Sequence, residues 1–173
     1  MSDAAARRAK MYGEDDLSSL PVFAGGFINY GYWRDIPLGD GDITLEQRVR
    51  SQLELYRLVF TDIGVGAADR VLEVGCGLGV GGTWALTEFG AAEMHGVDLS
   101  PAQLARARQR NPGSAMAFHE GAANALPFGD SEFDVVVSLE AAQHFDDLPG
   151  FAASARRVLR PGGRLAVTTF FLP

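Results

Sequence analysis

The residues best suited to chemistry in this chain lie in one glycine-rich segment, Glu73-Val74-Gly75-Cys76-Gly77-Leu78-Gly79. Because it ends a short apolar run, we expect it to leave the carboxyl end of a β-strand, where open α/β sheets bind ligands. Glycine lets the backbone turn sharply and approach a ligand closely. A second acid, Asp98, follows the next apolar run, where a carboxylate can accept hydrogen bonds from both hydroxyls of a ribose. These features predict a site for a nucleoside cofactor.

Two classes of nucleoside cofactor fit this pattern. Gly77, Gly79 and Gly82 also form a G-x-G-x-x-G pattern, and Asp98 follows Gly77 by 21 residues, as in dinucleotide sites. Glu73 separates the two classes, because a carboxylate repels a pyrophosphate and attracts the ammonium and sulfonium groups of S-adenosylmethionine (SAM). We therefore favour SAM. A nicotinamide or flavin oxidoreductase fragment is the more distant alternative.

The elements that must position these residues alternate along the chain. Apolar runs predict strands at 70–74, 93–97, 115–119, 133–139 and 164–170, and periodic segments predict helices at 43–63, 80–89, 101–110 and 148–159. Such alternation indicates an α/β fold in which a parallel sheet carries helices on both faces. We divide the chain into an N-terminal arm and aromatic lid, 1–42, and a cofactor-binding domain, 43–173.

Composition narrows the class of protein further. The 173 residues suffice for one domain with a substantial core, and the formal net charge of −7 without a basic run argues against a nucleic-acid partner. A single cysteine, Cys76, excludes an intrachain disulfide and a multi-cysteine zinc site. Neither a secretory leader nor an apolar run of membrane-spanning length is present, so we expect a soluble cytoplasmic protein with a small-molecule partner, no membrane partner and no metal.

Four motifs stand in order along the chain, and together they resemble those of class I SAM-dependent methyltransferases of the small-molecule type. They are Glu73–Gly79, Val97-Asp98-Leu99-Ser100-Pro101, Leu126-Pro127-Phe128 with Phe133-Asp134-Val135-Val136, and Leu159-Arg160-Pro161-Gly162-Gly163. The resemblance implies a three-layer Rossmann-like fold with at least five strands. It also implies that Glu73 and the backbone of the glycine loop hold the methionine part of SAM, that Asp98 holds the ribose and that Leu99 packs on adenine.

One segment departs from the family pattern. The family often has Gly-Asp-Ala before Leu-Pro-Phe, and its aspartate bonds the adenine amino group, whereas this chain has Gly121-Ala122-Ala123-Asn124. Ala122 cannot make that bond, although the Ala123 N–H can reach the ring and Asn124 can take the place of the acid. The residues that we also expect near the cofactor are Asn29 and Tyr30 of the aromatic segment 27–33, Gln103, and Leu139.

Candidate catalytic residues follow the fourth predicted strand. Glu140 and His144 are four residues apart, so in a helical turn they would share a face, and in similar enzymes a histidine or glutamate here touches the substrate. The alternative is that His144 is structural and Glu140 solvated. We interpret the chain as an enzyme that transfers a methyl group to a small apolar or aromatic metabolite by direct displacement, with a non-catalytic SAM-binding or scaffold protein as the alternative.

The family fold normally continues beyond the last strand predicted here, so the chain resembles a methyltransferase that lacks the C-terminal strands. We expect a fragment, a short form that pairs its last strand with a second copy, or a remnant that binds the cofactor without turnover. An exposed apolar edge strand favours association. If the edge is paired, proline at Val167 or Thr169 should abolish the oligomer in sedimentation experiments.

Overall fold

Five parallel strands form a single sheet in the computed structural model, which describes residues 10–14 and 17–170. They are β1 Arg70–Val74, β2 Glu93–Asp98, β3 Ala117–Glu120, β4 Phe133–Leu139 and β5 Leu159–Thr168. Their order across the sheet is β3-β2-β1-β4-β5. Because chain progression reverses between β1 and β4, a crevice opens at the carboxyl ends of these two central strands.

Helices cover both faces of the sheet, which confirms the predicted α/β fold. They are α1 Leu45–Asp62, α2 Val80–Phe89, α3 Pro101–Arg110 and α4 Leu148–Val158. Helices α1, α2 and α3 contribute to one apolar cluster, through residues such as Phe60, Ala85 and Leu104. The α4 residues Phe151 and Val158 pack in a second cluster on the opposite face. Alternate residues of the strands are therefore buried on opposite faces, as in a three-layer architecture.

Side-chain caps fix where the helices begin. Thr44 and Gln47 form a reciprocal capping box at α1. At α3 the Ser100 hydroxyl accepts from the Gln103 N–H at 3.3 Å, and Pro101 occupies the first turn. The Asp147 carboxylate caps α4 by accepting from the Gly150 N–H. The α3 and α4 caps place two polar residues, Ser100 and Asp147, beside the crevice at the carboxyl edge of the sheet.

Strand β5 begins earlier than the sequence indicates. Leu159 pairs with Phe133, and the next register pair is Arg164 with Val135, so residues 160–163 bulge out between them. Gly162, with φ of 80°, permits the bulge. Residues 160–163, which the sequence leaves between a predicted helix and a predicted strand, thus form a bulge within β5, because pairing with β4 extends across them.

The N-terminal segment forms short helical turns at 10–14, 17–19 and 21–26, of which the first packs against α3 and the last against α1. The Gln52 Nε2 of α1 donates to the carbonyl oxygens of Val22, Phe27 and Asn29 at 3.0–3.1 Å. These bonds hold the stretch from residue 21 against α1, and its role as a lid stays a prediction. Residues 1–9, 15 and 16 of the predicted arm and residues 171–173 lie outside the described residues. Within the described ranges, no helix is both long and apolar enough to cross a bilayer.

Candidate active site

The glycine loop after β1 turns through three glycines in the left-handed region. The φ angles of Gly75, Gly77 and Gly79 are 79°, 51° and 64°. At Gly75 an added Cβ would stand only 2.3 Å from the Cβ of Ala141, so the loop and the end of β4 approach more closely than any side chain allows. The Gly75 N–H donates to the Val97 carbonyl at 2.8 Å, which ties the loop to β2.

Asp98 fixes the other side of the loop. Its Oδ2 accepts from the Gly77 N–H and its Oδ1 from the Ser100 N–H, both at 2.9 Å. Burial raises the pKa of this carboxyl, and the backbone N–H groups oppose the rise. A carboxylate has about four lone-pair sites, so Asp98 keeps acceptor capacity for a further donor such as a ribose hydroxyl.

Glu73 lies beneath the loop rather than on a cavity wall. It is 1% exposed, and its Oε1 accepts from the Tyr56 hydroxyl of α1 at 2.7 Å. Its Oε2 has no hydrogen-bond partner and faces Gly82, where an added Cβ would be 2.5 Å away. Burial raises the pKa of Glu73 to about 7, although the bond from Tyr56 opposes the rise. The predicted contact of Glu73 with the methionine part of SAM therefore stays a prediction.

A cavity of about 680 Å³ opens at the carboxyl edge of the sheet, between the glycine loop, the end of β2 and the end of β4. Most of the residues predicted for the site line it. They are Gly75, Gly77, Asp98, Leu99, Ala122, Ala123, Asn124, Leu139, Glu140 and His144. The cavity is within the usual size range of small-molecule sites. Sequence motifs far apart in the chain thus converge on one concave site.

The remaining predicted residues lie outside this cavity. Gly79 lines a separate small space of about 30 Å³ under the loop, while Asn29 and Gln103 are buried, with an Asn29 oxygen and a Gln103 nitrogen unpaired. Tyr30 is half exposed, yet its backbone N–H donates to Glu140 Oε2 at 2.8 Å. The aromatic segment therefore reaches the site through its backbone, and the predicted cofactor contacts of these four residues, like that of Glu73, stay predictions.

Glu140 directly follows β4 and has an unusual backbone conformation. Its φ is 48°, rare for a residue with a side chain, and its N–H is shared between the carbonyl and hydroxyl oxygens of Thr168 at 2.9 and 3.1 Å. Its carboxyl is partly buried. The Tyr30 N–H bonds Oε2, so Oε1 remains as a second acceptor atom. Burial raises its pKa, and the Tyr30 N–H opposes this. Strain of this kind often accompanies functional residues.

His144 contacts a residue that sequence reasoning missed. Its Nε2 is 2.8 Å from the Tyr12 hydroxyl, and the two rings meet edge to face. The Tyr12 carbonyl accepts from the Ser100 hydroxyl at 3.1 Å, so Tyr12 spans the cavity from α3 to the turn after β4. No motif marks this tyrosine in the polar N-terminal arm. Tyr56 was also missed, because its spacing in α1 is that of an ordinary core residue.

Among the described residues, no group of three histidine, cysteine or acidic side chains is arranged to hold a metal ion. A parallel sheet with a glycine loop after its first strand and an acid after its second defines the Rossmann-like class of nucleoside-binding α/β proteins. The chain matches the family described as methyltransferase domain over residues 72–167, more than half of its length. The chain therefore belongs to this family, and the resemblance to class I SAM-dependent methyltransferases is confirmed.

Two curated relatives illustrate the similarity. The phthiotriol/phenolphthiotriol dimycocerosates methyltransferase of Mycobacterium leprae is 35% identical over 140 residues, covering 81% of this chain and 52% of the relative. The erythromycin 3''-O-methyltransferase of Saccharopolyspora erythraea is 37% identical over 147 residues, covering 83% of this chain and 45% of the relative. The chain spans about half the length of the curated relatives that it matches.

Solved structures share the fold. The [4+2]-cyclase SpnF superposes with a TM-score of 0.69 at 27% identity, covering 82% of this chain and 51% of that one. Phosphoethanolamine N-methyltransferase 2 of Haemonchus contortus, solved in complex with SAM, gives a TM-score of 0.62 at 30% identity, covering 67% of this chain and 28% of that one.

Proposed function

We propose that this chain binds SAM and takes part in methyl transfer to a hydroxyl group on a small apolar metabolite. The observation that carries the proposal is the convergence of the glycine loop, Asp98, Glu140 and His144 on one 680 Å³ cavity. Relatives named for phthiotriol dimycocerosates and for the 3''-oxygen of erythromycin support a natural-product or lipid acceptor. A small-molecule partner follows from this proposal. Self-association through β5 and a cytoplasmic location stay predictions.

The residues present fit SAM better than a dinucleotide. Gly75 and Gly77 give a ligand access to the backbone, and the Asp98 carboxylate keeps acceptor capacity for a ribose hydroxyl. No lysine or arginine is found among the described residues that line the cavity, so nothing in them would neutralise a pyrophosphate. When bound, SAM supplies a methyl group already activated on its sulfonium.

The remaining work of the site is to orient the acceptor and to take its proton. The Tyr12 hydroxyl and His144 Nε2 form a hydrogen-bonded pair that can accept a proton at the cavity wall. Glu140 Oε1 is a second candidate, and burial raises its pKa toward the range useful for a base. Apolar side chains such as Ile28 and Phe145 exclude water from the acceptor.

A different activity on the same fold is the second candidate. SpnF shares the fold over most of this chain and is named a [4+2]-cyclase, so the fold does not by itself fix the reaction. A chain that binds SAM without transferring its methyl group is the corresponding alternative here. Only the presence of a proton acceptor at His144 and Glu140 favours transfer over this alternative.

Calorimetric titration of the 173-residue chain with SAM, with S-adenosylhomocysteine (SAH) and with NAD tests the proposal. We expect binding of SAM and SAH and none of NAD. A labelled-methyl assay with hydroxylated lipids then separates turnover from binding. Binding of NAD alone would contradict the cofactor assignment, whereas SAM binding without transfer to any hydroxylated acceptor would favour the non-catalytic alternative.

A further inference from the structure

Four carboxylates, those of Asp98, Glu140, Asp146 and Asp147, line the cavity, and three of them are held by uncharged donors. Asp98 accepts from the N–H groups of Gly77 and Ser100, and Glu140 accepts from that of Tyr30. Asp147, at the exposed mouth, accepts from the Gly150 N–H at 2.8 Å and from the Asn124 amide at 3.4 Å. Uncharged donors hold these carboxylates in place but leave their negative charge uncompensated.

The rest of the described cavity lining adds no permanently charged cation to balance them. It includes neither lysine nor arginine, and its other surfaces are largely apolar side chains and backbone. A wall of one sign with apolar surroundings focuses the electrostatic field into the space that it encloses. The described lining therefore contributes a negative field, which acts on whatever enters beside the cofactor.

We propose that the site takes an acceptor whose reacting head is an uncharged alcohol on an apolar body, and that it rejects carboxylate and phosphate heads of the same shape. This rests on the proposed function and narrows its substrate class. An anionic head would lose water on entering and meet like charge with no donor cation, whereas an alcohol loses little and can donate a hydrogen bond to Glu140 or His144. Specificity here arises from repulsion of the wrong head as much as from contacts with the right one.

An acceptor with a cationic head group should behave in the opposite way to an anionic one. An amine on the acceptor would be drawn to Glu140 and Asp147, so an amino alcohol should bind at least as well as the neutral alcohol. Ligands that share one alkyl chain and differ in the charge of the head group should therefore differ in affinity according to that charge. Decanol, decylamine and decanoate form such a series.

Binding of the three ligands to the chain saturated with SAH, measured by calorimetry at pH 8 in about 50 mM salt, tests the ranking without requiring turnover. We expect decanoate to bind at least about tenfold more weakly than decanol, and decylamine no more weakly than decanol. We call the ratio of the dissociation constants of decanoate and decanol the affinity gap. Raising the salt to about 500 mM should narrow this gap, because the repulsion is screened.

Variants then test whether the cavity carboxylates cause this difference in affinity. The double substitution Glu140→Gln and Asp147→Asn removes two charges but keeps an oxygen for the Tyr30 and Gly150 N–H groups, so the gap should shrink to within about threefold. The control is Glu46→Gln with Asp62→Asn, which removes two exposed carboxylates of α1 that do not line the cavity. The gap should persist in the control.

Each outcome decides the matter. Decanoate binding as tightly as decanol would overturn the inference, as would failure of decanol to bind, or a gap that neither salt nor the double variant reduces. The salt series uses the unaltered chain and stands even if the double variant does not fold. Because SAH saturation is measured first, absence of SAH binding marks failure of the proposed function itself, and SAH binding with a preference for decanoate marks failure of this inference alone.

Discussion

Replacing Glu73 by glutamine tests the buried acid at the base of the glycine loop. Glu73 is 1% exposed, its Oε1 accepts from the Tyr56 hydroxyl, and its Oε2 has no partner. Glutamine keeps the acceptor oxygen for Tyr56 but removes the titration. The substitution also places an unpaired amide N–H₂ where Oε2 stood, which costs about 1–3 kcal/mol at every pH.

The pH dependence follows from the pKa of Glu73, which burial raises from 4.5 to about 7. A folded-state pKa above the unfolded value means that the acid destabilises the fold. The penalty is absent below about pH 4.5, grows as the pH rises to about 7 and is complete above that, reaching about 3 kcal/mol. Between pH 5 and pH 8, the stability of Glu73→Gln relative to the unaltered chain should therefore rise by about 2–3 kcal/mol.

Urea unfolding of both chains at pH 5, 6, 7 and 8 measures this rise as a difference in the free energy of unfolding. The matched control is Glu46→Gln, at an exposed position in the first turn of α1, which should show no comparable rise. A difference between Glu73→Gln and the unaltered chain that stays within about 0.5 kcal/mol across this range would refute the reasoning.

Three further predictions concern the loop and the cavity. Gly75→Ala should destabilise the chain by about 1–3 kcal/mol more than Gly113→Ala in urea unfolding. Both glycines have φ of 75–79°, but only Gly75 faces Ala141, so equal losses of stability would contradict this. Asp98→Asn should weaken SAM and SAH binding about 10- to 100-fold in calorimetry, and an unchanged affinity would exclude its ribose role. Tyr12→Phe should slow methyl transfer at least about tenfold while the Kd for SAM stays within about threefold, and equal rates would remove Tyr12 from the reaction.

Local sequence pattern predicted the central elements well. Strands β1 and β4 have the predicted bounds, because their apolar runs end at a glycine and at Glu140, respectively. The beginning of β5 was misplaced because Arg160-Pro161-Gly162-Gly163 has the composition of a turn. Leu159 joins the sheet only through its pairing with Phe133. Strand pairing is a long-range interaction that local composition does not encode.

Sequence alone determined the fold class, the family and the edge of the sheet that carries the site. The fold class and the edge follow from local signals: a glycine loop follows one strand, an acid ends the next, and parallel strands bring their carboxyl ends to one edge. The family follows from the resemblance that the four motifs carry. Those lining residues that follow the strands directly, such as Asp98 and Glu140, were therefore predictable from motif positions.

Only the tertiary structure decided where each side chain at that edge points and what it meets. Tyr12 and His144 are 132 residues apart, and nothing between them indicates that their rings meet. Glu73 faces α1 and bonds Tyr56 instead of lining the cavity, because neighbouring strand residues point to opposite faces and packing decides which helix covers each face. Burial, which raises the pKa of Glu73, is likewise a property of that packing.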